Sequence, residues 1–118
     1  MDYKNLYSGL TIKLANEIPI TAYPIRELVT AFRGKGHPIT LKTKLTITSV
    51  LNTGDISGIM CAVTDIDDNV IACSLTHLIF DSKFKLYQDI IDYQRQRSNR
   101  IKQLNQMTLS RKTPQDNK

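Results

Sequence analysis

The basic residues that could bind an anionic partner are concentrated at the C-terminal end of the 118-residue chain. Residues 93–118 carry seven Lys or Arg against one acid, whereas residues 1–92 carry nine against ten acids. Such one-ended charge is typical of a basic arm or helix that makes contacts. Arg and Lys neutralise phosphates, and the Gln and Asn residues among them can bond to base edges. We predict that a nucleic acid or an acidic protein surface is bound by Arg95, Arg97, Arg100, Lys102, Arg111 and Lys112.

A weak apolar stripe follows in the same segment. Residues 94–100 contain no apolar side chain, and Ile101, Leu104 and Met107 then recur every three residues. A projecting helix gains nothing from apolar side chains in water, so these three are predicted to contact a partner helix. A second copy of the chain would provide such a helix, which makes a homo-oligomer the alternative to nucleic-acid binding.

A second basic cluster, Arg33, Lys35 and His37, surrounds two glycines. Glycine-rich backbone can present N–H groups to an anion, so this segment is a candidate anion contact. It lacks the spacing of a phosphate-binding P-loop, and a solvated turn after a helix explains the same residues.

Metal binding and catalysis find little support in the sequence. The soft metal ligands Cys61, Cys73, His37 and His77 lack the close pairs typical of zinc sites. An acidic stretch over residues 65–69 lacks the glycine and glutamate of a calcium loop. No nucleophile, zinc-protease or dinucleotide motif is present. We therefore expect a protein without metal, cofactor or enzymatic activity.

Composition indicates one ordinary domain, since 41% of residues are apolar and 23% are charged. The longest apolar run, residues 59–63, is too short to span a membrane. The first residues do not form a secretory signal, and two cysteines fit a reducing compartment. These features predict a cytoplasmic protein.

Helical spacing of apolar residues marks three segments. Residues 2–16 favour a helix, although Leu10, Ile12 and Leu14 also alternate as in a strand. A second helix is predicted from Pro24 to Arg33, with Gly34 as the residue that ends it. The segment between these two helices is predicted to be an extended connector. A long C-terminal helix is predicted from about residue 83, docked at first and projecting beyond about 93.

Alternating residues predict three antiparallel strands, at about 39–51, 58–64 and 69–79. The short polar turn at residues 65–69 makes the last two a hairpin. A hairpin centred on Asp67 places Cys61 opposite Cys73 and Val63 opposite Ile71, on one apolar face.

The predicted architecture is α+β: a small antiparallel sheet flanked by helices in one domain over residues 1–109, with a flexible basic tail at 110–118. A small SH3-like β-barrel with appended helices is the alternative, and residues 8–14 discriminate between the two. A strand there would help to close a barrel, whereas a helix would cover the sheet. The predicted function is a non-enzymatic binding module that contacts nucleic acid, or alternatively a protein-interaction or assembly subunit.

Overall fold

The computed structural model describes the backbone of residues 3–36 and 38–116 and the side chains of residues 7–36 and 38–106. Three α-helices, α1 (Tyr3–Ala15), α2 (Arg26–Gly34) and α3 (Tyr87–Asp116), accompany a five-stranded sheet. The strands are β1 (Ile20–Pro24), β2 (Leu45–Asn52), β3 (Ile59–Thr64), β4 (Val70–Ser74) and β5 (Leu78–Ile79). The prediction of an α+β fold with a long C-terminal helix is confirmed.

The sheet is antiparallel and has the strand order β4-β3-β2-β1-β5. Its two edge strands, β4 and β5, are joined by a single 3-10 turn, Leu75–His77. So short a link between opposite edges requires the sheet to curl strongly. Residues 8–14 lie in α1, whose Leu10 and Leu14 enter the core. The helix therefore covers the curled sheet and adds no strand to a barrel.

The predicted hairpin is confirmed, with Cys61 paired to Cys73 and Val63 paired to Ile71. The third predicted strand is interrupted, however. The Ser74 side chain accepts a hydrogen bond from the backbone N–H of Thr76 and starts the 3-10 turn. The chain then crosses to the far edge, where Ile79 pairs with Tyr23 of β1.

Strand β2 is shorter than predicted and changes face within its length. A bulge lies between Ile47 and Ser49, so one extra residue shifts the alternation. Leu45 and Ile47 are buried as the pattern predicts, but Leu51 is 63% exposed. Val50 packs against the core in its place.

The region of the predicted connector contains a strand, since residues 20–24 form β1. Ile20 and Ala22 are buried there, and β1 lies between β2 and the edge strand β5. Helix α2 starts two residues later than predicted. The glycine with positive φ at its end is Gly36 (φ 83°), not Gly34.

Helix α3 packs on the core through Ile90 and Tyr93, and Leu86, in the turn just before the helix, is buried beside them. The helix begins at Tyr87, four residues later than predicted, because residues 81–86 form turns. No helix among the described residues is long and apolar enough to cross a membrane. The cytoplasmic location and the flexible tail at 110–118 stay predictions.

Candidate functional site

Arg97, predicted to contact a partner, is inside the protein, with 2% of its surface exposed. Its guanidinium donates hydrogen bonds to the backbone carbonyls of Asp55 and Ile56 in the β2–β3 loop. It also lies 3.4 Å from the Tyr7 hydroxyl and 5.9 Å from the centre of that ring. A buried charge needs such a set of acceptors. Arg97 therefore holds the β2–β3 loop and α1 together.

Arg100, one turn further along α3, pairs with the Asp55 carboxylate. Its Nε lies 3.0 Å from both carboxylate oxygens, and Nη2 donates to Oδ2 as well. The hydrogen bond from Arg100 holds the pKa of Asp55 below its ordinary value of 3.8, against the opposing effect of partial burial. We call Asp55, Arg97 and Arg100 the loop clamp.

Gly58 lets α3 approach the end of the β2–β3 loop. It has a positive φ of 70°, and a Cβ atom there would overlap the Tyr93 hydroxyl and lie 2.9 Å from Arg97 Nε. The Tyr93 hydroxyl accepts a hydrogen bond from the Ile59 N–H at 2.8 Å. Burial raises the pKa of Tyr93, and that hydrogen bond only partly opposes the effect.

Together these contacts attach α3 to the body of the protein as far as Arg100, instead of leaving it to project beyond about residue 93. The sequence does contain the signal. Leu86, Ile90, Tyr93, Arg97 and Arg100 follow one another at helical three- and four-residue steps, so the two arginines continue the buried face. The buried face was not predicted beyond Tyr93, because its next two members are arginines and not apolar residues.

Two predicted contact residues, Arg95 and Lys102, are exposed. They share one side of α3 with exposed Asn99 and Gln106, because the four residues are spaced by four, three and four positions. We call these four residues the outer stripe; none of them is acidic, and the exposed Asp92 precedes Arg95 by three residues on the same side.

The predicted apolar contacts lie on another side of the helix. Ile101 is 40% exposed, and Leu104 is half-buried. The side chains of Met107, Arg111 and Lys112 lie outside the described residues, as does His37.

Helix α2 lines a separate cleft, of about 620 Å³. Arg33, a predicted anion contact, lies there, whereas Lys35 is exposed but does not line the cleft. We call this the α2 cleft, and its lining residues are Arg26, Val29, Thr30, Arg33, Thr40, Leu41 and Lys42. Arg26 and Lys42 were not among the predicted contacts, although Arg26 shares a helix side with Arg33 by spacing; only Lys42 depends on the tertiary fold to reach them.

The cysteines pack as apolar residues. Both thiols are free and buried, and burial raises the pKa of Cys61 to about 12 and that of Cys73 to about 11. Within the described residues no group of three or more His, Cys, Asp or Glu side chains could hold a metal ion. In the acidic turn, Asp65 accepts hydrogen bonds from the backbone N–H groups of Asp67 and Asn69, which stabilises the hairpin.

The chain matches no protein-family model, and comparison with curated proteins and with solved structures also gives no match.

Proposed function

We propose that the chain is a non-enzymatic binding module that contacts nucleic acid through the outer stripe of α3. One observation carries the proposal: beyond Asp92, two cations and two amides lie along one exposed side of the helix without an acid among them. Arg95 and Lys102 are two turns apart, so both can reach phosphates while the helix lies along a backbone. Asn99 and Gln106 can donate to and accept from base edges between them.

The loop clamp, which was not predicted from the sequence, supports this proposal because it holds α3 in place. Arg97 and Arg100 are engaged within the protein, so they are removed from the predicted contact set. They attach α3 to the β2–β3 loop, and the outer stripe is thereby presented on a fixed helix. A preordered helix loses less conformational entropy on binding than a free arm would.

The salt dependence of binding tests the proposal. The variant R95Q/K102Q should bind a mixed-sequence single-stranded oligonucleotide more weakly than the parent chain. Its slope of log affinity against log salt should be smaller by about 1 for each lost phosphate contact. Fluorescence anisotropy at several salt concentrations measures both quantities. The control is K83Q/K85Q, which removes two exposed charges outside the outer stripe, of which Lys85 pairs with Glu17 at 3.0 Å.

Three results would contradict the proposal. The parent chain could fail to bind at low salt, or K83Q/K85Q could lower the slope as much as R95Q/K102Q does. The third is equally strong binding of polyglutamate, which would make an acidic protein surface the partner.

Self-assembly is the second candidate, and the exposure of Ile101 favours it. This side chain lies one turn beyond Arg97, close to the buried side of α3, where a second copy could cover it. The solution mass of the parent chain without nucleic acid decides this point. A monomer at high protein concentration contradicts self-assembly.

A further inference from the structure

We infer that the α2 cleft is a binding site for a phosphate group of an organic phosphate. The inference is independent of the outer stripe, because it uses residues on another helix. Three cations, two hydroxyls and two apolar side chains surround the cleft.

One wall of the cleft is a single side of α2. Arg26, Thr30 and Arg33 are spaced by four and three residues, so they lie along one side of the helix. Leu28 and Phe32 are buried and fix the rotation of the helix on the sheet. The two guanidinium groups are thereby directed to the same cleft.

The other wall is a turn with a defined shape. The Thr40 N–H donates to Thr43 Oγ1 at 2.8 Å, and the Thr43 N–H donates to the Thr40 carbonyl at 3.0 Å. The Lys42 N–H donates to Thr40 Oγ1 at 3.1 Å. These hydrogen bonds set the backbone from which Lys42 reaches the cleft.

The charged side chains of the cleft have no ionic partner among the described residues. In the part of the chain that the structure describes, the side chains of Arg26, Arg33 and Lys42 form no ion pair or hydrogen bond. Arg26 also sits in the first turn of α2, where a positive charge opposes the helix dipole. The dipole favours Arg33, in the last turn, but not Arg26, and an anionic ligand would offset the cost at Arg26.

The distribution of charge along the body reinforces the site. Residues 26–44 contain five Lys or Arg against the single acid Glu27, whereas residues 45–92 contain two Lys against seven Asp. The near-neutral body is thus divided into a basic and an acidic part. A locally positive cleft raises the local concentration of an anion and its rate of association.

The lining identifies the class of ligand. Arginine binds phosphate with two parallel N–H bonds, and threonine hydroxyls add donors. A cleft of about 620 Å³ exceeds the size of a phosphate ion and falls in the range of small-molecule sites. Leu41, 48% exposed, offers an apolar surface to the rest of the ligand. The phosphate could belong to a free organic phosphate or to a nucleic-acid backbone.

Binding of adenosine monophosphate, measured by calorimetry on the full chain, tests the site. We expect R26Q/R33Q to lose about tenfold in affinity for each charged contact removed. R95Q/K102Q, with the same change in net charge, should bind like the parent. Arg26 and Arg33 are exposed, so far-ultraviolet circular dichroism should confirm that the variant is folded.

A second probe, a mixed-sequence oligonucleotide, distinguishes the two sources of phosphate. Loss of adenosine monophosphate binding alone in R26Q/R33Q assigns a free organic phosphate, and loss of oligonucleotide binding assigns a backbone phosphate. The inference is overturned if neither probe binds more weakly to R26Q/R33Q, or if R95Q/K102Q weakens adenosine monophosphate binding equally. The outer stripe is judged by R95Q/K102Q and oligonucleotide, so the two proposals can fail separately.

Discussion

Arg95 and Arg97 are only two positions apart in the sequence, but their surroundings in the folded protein are almost entirely different. A basic residue in a polar run indicates solvent or an anionic partner, and Arg95 does face solvent. Arg97 instead meets two backbone carbonyls and the Tyr7 hydroxyl, all of which come from distant parts of the chain. Residue type alone could not show that Arg95 is exposed and Arg97 buried. The difference depends on which hydrogen-bond acceptors the fold brings to each side of α3.

Asp55 links the loop clamp to pH. Its pKa is lower in the folded protein than its ordinary value of 3.8, so the folded state favours the ionised carboxylate. The stabilisation by Asp55 is therefore complete well above pH 3.8 and is lost as the pH falls through the lower, folded-state pKa. We expect the parent to be more stable than D55N at pH 6, and the difference to shrink steadily towards pH 2. Urea unfolding at a series of pH values measures it.

The variant R100Q serves as the control for this pH dependence. It removes the main cause of the lowered pKa, so the difference between R100Q and R100Q/D55N should be smaller and should vary less with pH. A constant difference between parent and D55N over the whole range would show that the Asp55 charge has no part in the clamp.

At the level of elements, the sequence predicts best where two local signals agree. The β3–β4 hairpin is correct because the polar turn and the apolar alternation independently specify one register. The predicted alternation of β2 is wrong after Ile47, because the bulge adds one residue. Every later residue of the strand therefore lies on the opposite face of the sheet from the one predicted. Strand β1 is missed because its partners, β2 and β5, begin more than 20 residues away.

The two proposed binding sites, the outer stripe and the α2 cleft, differ in the same way in how far the sequence predicts them. The outer stripe of α3 follows from helical spacing alone, so the predictions of Arg95 and Lys102 as exposed residues needed only the helix. The α2 cleft combines a helix with a turn that the sequence does not place beside it. Arg26 shares a side of α2 with Arg33 by helical spacing, but Lys42 could be found only from the folded structure.

Gly58 is where the β2–β3 loop and α3 constrain each other, and G58A tests this junction. Alanine at a positive φ costs about 1–2 kcal/mol. Overlap of its Cβ with the Tyr93 hydroxyl and the Arg97 side chain should add about 1–3 kcal/mol. The control G36A also has a positive φ, but nothing lies within 4 Å of its Cβ. Urea unfolding should therefore show a clearly larger loss for G58A, and equal losses would disprove the close approach.

On the scale of the whole molecule, the fold extends further into the basic segment than its composition indicates. A division near residue 92 separates a near-neutral part from a basic one in sequence, but Tyr93 is a core residue and Arg97 is buried as well. The Gln94 side chain also donates to the carbonyls of Leu75 and Leu78, at 3.0 and 2.9 Å, and thereby holds both ends of the 3-10 turn. The first part of the basic segment therefore belongs to the body, and only its exposed side chains can serve a partner.

Truncation measures how far the body extends. A chain that ends at residue 92 loses Tyr93, the Gln94 hydrogen bonds and the loop clamp, so we expect it to lose about 3 kcal/mol or more of unfolding free energy. Such a loss is a large part of the stability of a small domain. A chain that ends at residue 106 keeps every one of these contacts and should unfold within about 0.5 kcal/mol of the full chain. Urea unfolding followed by circular dichroism compares the three, and a stable, cooperative 1–92 chain would show that α3 beyond Asp92 is an appendage. If the expected order holds, nucleic-acid binding has to be tested with substitutions of Arg95 and Lys102, because removal of the segment would remove the fold that presents them.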